Sequence, residues 1–233
     1  MGVQPMRLLL VLLLGSLVRF LLPRLLQFLQ HRPARPVWES ADPAPDNGPD
    51  APIPFGYKNA WLVFPGATPK QVLQALSVRS SAPANWSAGM QAAGGNDQVF
   101  VTPQIDGAVL VVGLWGLLDE QRRLEQIAAH FREVQYFATH RVTEYHGWAR
   151  FLSGRPVRRY CYVGQMDRVL VDDGDMTPEE YRLGFQRFPR KNGPRVVDAP
   201  TEEDVLQLAA AWGVDPSFPG HHADRSTGYL CTL

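Results

Sequence analysis

Residues 32–56, RPARPVWESADPAPDNGPDAPIPFG, hold seven prolines and neither a helical nor a strand period. Proline fixes φ and has no amide donor, so such a run completes neither a helix nor a central strand. The segment reads as a semi-extended acidic linker. It divides the chain into an N-terminal segment, 1–31, and a folding unit, 57–233.

The N-terminal segment is hydrophobic. Residues 8–18, LLLVLLLGSLV, carry no charge, which is the length of a signal-peptide core and short for a membrane span. Leucines continue through RFLLPRLLQFLQ, with Arg19, Arg24 and the glutamines gathered on one arc of a helix. Gly15-Ser16-Leu17 makes a poor cleavage site. An uncleaved anchor fits better: a short inserted stretch, then an amphipathic helix in the headgroup layer. A cleaved leader and a buried helix of the folding unit are the alternatives. Arg7, Arg19, Arg24, Arg32 and Arg35 are unopposed by any acid up to residue 35. Their distribution leans the folding unit toward the cytoplasmic side of a bacterial inner membrane. The lipid bilayer is therefore one expected partner, through residues 8–31.

From Tyr57 onward the charges nearly balance, which excludes a basic nucleic-acid footprint. AWLVF at 60–64 reads as a strand. QVFVTPQIDGAVLVVGLW reads as two strands around an Asp106-Gly107 turn. Residues 117–134 carry a helical apolar stripe. Thr68-Pro69 with Gln71, TPEE at 177–180, and TEED at 201–204 each read as a capped helix start. Hairpins mixed with helices outside a strict alternation predict an α+β fold: a mainly antiparallel sheet with helices packed on it.

YHGWARFLSGRPVRRYCYVG, 145–164, predicts a hairpin turning at Ser153-Gly154-Arg155-Pro156. A loop centred on Gly154-Arg155 pairs Arg150 with Arg159 and Trp148 with Cys161. Directly opposed arginines are unfavourable, so either the register shifts by one residue or an anion lies between them. Both faces are aromatic or apolar. That fits a two-sided core with arginines reaching out of it, or a face offered to a protein partner. Trp148, Arg150, Arg158, Tyr160 and Tyr162 are the candidate contact residues on the second reading.

HRVTEYHGW, 140–148, poses the one chemical question. In an extended segment His140, Glu144 and His146 share a face, as ligands of a metal or members of an acid–base pair do. The two histidines then stand about 20 Å apart at ~3.3 Å per residue, so joint chelation requires a bend near Thr143. The competing reading is a turn into a hairpin. FPGATPKQ lacks the ending of a phosphate loop, DDGD lacks the spacing of a calcium loop, and no nucleophile elbow is present. No cofactor is implied. Cys161 and Cys231 match no zinc spacing and are expected as buried thiols.

THRVTEYHGWARFLSGRPVRRYCYVG, TPEE and TEEDVLQLAAAWGVDP together resemble a group of uncharacterised bacterial α+β proteins that are similar to small toxin-neutralising immunity proteins. The likeness covers roughly residues 134–216, about a third of the chain. It includes no catalytic motif. What it implies is a protein that works by occluding a toxin. The resulting expectation is a membrane-tethered protein-binding module. The alternative is a membrane-bound hydrolase or metal-dependent enzyme built on His140, Glu144 and His146.

Overall fold

The computed structural model describes residues 48–95, 97–118, 120–186, 199–221 and 225–233. The anchor expected at 1–31 and the linker up to residue 47 lie outside the described residues. Among the described residues, no helix is long and apolar enough to cross a membrane.

Among the described residues, nine strands form one sheet. They are β1 Lys58–Pro65, β2 Ser80–Ala84, β3 Gln98–Val101, β4 Ala108–Val112, β5 Glu133–His140, β6 Tyr145–Leu152, β7 Arg155–Val163, β8 Arg168–Gly174 and β9 Gly228–Thr232. The order across the sheet is β2-β9-β3-β4-β1-β5-β6-β7-β8, and every neighbouring pair is antiparallel. The expected α+β class, a mainly antiparallel sheet with helices, is what forms.

Ala60–Phe64 of β1 and all of β4 are buried, because helices cover both faces of the sheet. Continuous apolar runs are the signature of strands buried on both sides. One face packs Leu62, Phe64, Val111 and Phe151 against α1 (Pro69–Leu76) and α3 (Gln121–Ala128). The other packs Trp61, Val63, Phe137 and Trp148 against α2 (Trp86–Ala92) and α5 (Glu202–Trp212). A short helix, α4 (Pro178–Arg182), packs on α5.

Thr68, Thr177 and Thr201 each close a reciprocal capping box, with Gln71, Glu180 and Asp204 as partners. The helix expected over 117–134 shortens to α3, since β5 claims the chain from Glu133. Gly56 does not end a free tether. Asp50 accepts from the amides of Trp86 and Ser87 at 2.6 and 2.9 Å, and Phe55 is buried against Trp61 and Phe218. The described end of the linker is thus a strap over the helix-α2 face, held by the unsatisfied amides of a helix start.

The β6–β7 hairpin turns at Ser153 and Gly154, with φ of 49° and 76°. Gly154 serves twice: it accepts the left-handed φ, and a Cβ there would stand 3.0 Å from Ala129 Cα. The register shifts by one residue from the simple pairing, one of the two outcomes that the opposed arginines allowed. A bulge between Arg150 and Phe151 leaves Val157 unpaired, so Arg150 faces Arg158 and Trp148 faces Tyr160. One residue of slip moves side chains to the other face. Trp148 therefore shares a face with Arg158, Tyr160 and Tyr162 and not with Cys161.

Candidate functional site

Of the five residues offered as a contact surface, Trp148, Arg158, Tyr160 and Tyr162 are buried and Arg150 is half-buried, as in the two-sided core that was the alternative. Trp148 and Tyr160 are 1% exposed, Arg158 2% and Tyr162 6%. Trp148 stacks on Tyr160 with ring centres 4.3 Å apart, and it also packs against Phe185 at 5.2 Å. Arg158 donates from Nε to both oxygens of Glu180, at 2.8 and 3.1 Å, and from Nη1 to Asp172. Glu180 also accepts from Trp148 Nε1 at 3.0 Å and from the Thr177 amide at 2.7 Å. A single carboxylate thus closes a helix cap and neutralises a buried guanidinium. Burial on its own lowers the Arg158 pKa, but Glu180 and Asp172 outweigh it and raise it. Half-buried Arg150 takes a separate acid, Glu133, at 2.8 Å, and lies over the Trp212 ring. The opposed arginines are tolerated because each has its own carboxylate. Burial explains the correction: both sheet faces are covered, so strand aromatics are core.

His140, Glu144 and His146 do not assemble. Residues 141–144 form the turn between β5 and β6, with Glu144 at φ 50°. His140 pairs with Tyr145, and Thr139 with His146, which puts the two histidines on opposite faces of the sheet. His140 contacts Trp115 on one face. His146 contacts Thr139 Oγ1 through Nδ1, at 3.0 Å, on the other. Among the described residues, no three His, Cys, Asp or Glu side chains converge as metal ligands. The two cysteines are buried thiols, and His221 binds Asp106 of the β3–β4 turn at 2.9 Å.

The turn nonetheless builds a site. Where β1 begins, β5 ends and α5 starts, a cavity of about 540 Å³ is lined by Tyr57, Arg141, Glu144, His146, Tyr162 and Glu202. Arg141 lies over the Tyr57 ring, 4.8 Å from its centre, and its Nη2 is 3.4 Å from Glu202 Oε1. Glu144 packs its carboxylate on Gly164, where any Cβ would collide with it. Burial lowers the His146 pKa to about 4, against the pull of Asp204, so the ring is neutral at pH 7. Burial raises the Glu202 pKa, and Arg141 opposes the shift. Glu202 Oε2 is buried and accepts no hydrogen bond among the described residues.

Exposed apolar residues rim this end of the sheet: Tyr57 at 50%, Val142 at 58% and Met166 at 57%. Gln165 ties the two turns together, donating to the Val142 carbonyl at 2.9 Å. Of the expected contact residues, Tyr162 reaches the cavity, and of the histidine cluster, Glu144 and His146 do. Sequence reading missed Tyr57, Arg141 and Glu202. Glu202 carried a signal, but as an acid in a first helical turn it already had a sufficient explanation. No protein-family model matches the chain, and neither a curated protein nor a solved structure does.

Proposed function

We propose that the chain is a membrane-tethered protein-binding module of the immunity type, which neutralises a toxin by covering it. Residues 8–31 engage the lipid bilayer, in a bacterial inner membrane with the folded unit on the cytoplasmic side. The observation that carries the binding role is the end of the sheet just described. There an arginine and an aromatic ring line a concavity with a few convergent polar groups, and exposed apolar side chains stand on the neighbouring turns. Aromatic and arginine anchors beside a pocket are what interface centres are made of. The contact surface moves accordingly, from the β6–β7 strand faces to Tyr57, Arg141, Val142 and Met166.

The metal form of the enzyme reading needs His140 and His146 on one centre, and they take opposite faces of the sheet, while Glu144 and His146, its acid–base pair, line one cavity. The test is capture by the full-length chain from detergent-solubilised cells of the source organism. One stoichiometric protein, retained by the wild type and lost with Val142→Asp or Met166→Glu, is the expected result. A partner set indifferent to both substitutions, with the fold intact, would overturn the surface.

A further inference from the structure

We infer that the cavity beside His146, with its continuation along α5, receives a basic segment of the partner and seats an arginine or lysine side chain against Glu202. The inference rests on the protein-binding reading and supplies the partner's chemistry.

The concavity is longer than one cavity. A second, of about 380 Å³, lies along α5 between Phe55, Glu203, Leu206 and Asp215, and Tyr57 lines both. The two linings together carry four carboxylates, Glu144, Glu202, Glu203 and Asp215, against the Arg141 guanidinium. His140 and Lys58 act on Glu202 too, each with a smaller effect than Arg141. His146 is neutral and adds no repulsion. The groove therefore favours a cation.

An anion is disfavoured although α5 points its N-terminus here. Asp204 and Thr201 already close that end, and Glu202, Glu203 and Asp204 crowd its first turn with negative charge. The chain also shows that a guanidinium fits. Arg141 rests between the Tyr57 ring and Glu202 Oε1, in the pairing that aromatic faces and carboxylates offer to arginine. Its side chain is 56% exposed, so it closes the site only partly. Glu202 Oε2, buried and without a donor among the described residues, is the acceptor left for a second cation, and a buried acceptor without a donor is costly to leave so.

The test uses the full-length chain in detergent micelles and three probes: a capped Gly-Gly-Arg-Gly-Gly peptide, its uncharged citrulline counterpart, and inorganic phosphate. Saturation-transfer NMR reads weak binding directly. The arginine peptide is expected to bind, the citrulline peptide about tenfold more weakly or worse, and phosphate not to compete. Glu202→Gln is expected to weaken the arginine peptide by a similar factor. Glu144→Gln with Asp215→Asn makes the same test should Glu202→Gln disturb the fold. Equal binding of arginine and citrulline, displacement by phosphate, or no response to either set of substitutions overturns the inference. Partner capture lost with Val142→Asp but without arginine binding sinks the basic-segment assignment alone. Arginine binding without any captured partner sinks the protein-binding reading instead.

Discussion

Arg158 is the residue on which the α4 face of the sheet depends. Its guanidinium is buried with Glu180 and Asp172, so removing one partner strands a charge away from water. Breaking such a pair costs roughly 3–5 kcal/mol, whereas replacing the whole set with apolar side chains can be neutral. Chemical denaturation of Arg158→Met or Glu180→Gln should show a loss in that range. The double variant should lose less than the two single losses added together. His146 gives a pH signature of known sign. Its folded pKa of about 4 lies below the ordinary 6.5, so the unfolded chain binds more protons between those values. Stability from this group therefore rises as pH goes from about 4 to 6.5, by about 3 kcal/mol at ~1.4 kcal/mol per pKa unit. His146→Asn should remove that part of the slope and leave the carboxylate part.

At the scale of elements, local signals survived folding and cross-strand ones did not. The three threonine caps and the Asp106-Gly107 turn are written within four residues each, and all formed as read. For the β6–β7 register the sequence offered a one-residue shift as one of two outcomes, and the place of the bulge, which leaves Val157 unpaired, was not legible. The hairpin turn read in HRVTEYHGW formed at 141–144, and its four residues decide that His140 and His146 take opposite faces. The site itself draws on the start of β1, the β5–β6 turn, β7 and the first turn of α5, and no sequence window spans those. Two substitutions test the elements. Gly154→Ala should destabilise by about 1 kcal/mol or more, since the new Cβ must enter a left-handed φ against the α3 backbone. Asp50→Ala should cost about 1 kcal/mol, as loss of an N-terminal cap does, and should speed amide exchange at Trp86 and Ser87.

For the whole molecule, covering both faces of a nine-stranded sheet leaves its ends and edges for recognition. β2 and β8 are those edges, and β2 is short and carries Pro83, which discourages further pairing. The end that gathers Tyr57, Arg141, Val142 and Met166 adds a cavity and acidic groups to exposed apolar surface. This end is where we propose the partner sits. Site-specific photocrosslinking in living cells tests it most directly, with the photoreactive residue placed in turn at Val142, Met166 and, on the far edge, Ser81. One protein adduct shared by Val142 and Met166, and none at Ser81, is the expected result. An adduct at Ser81 with silence at Val142 and Met166 would contradict it.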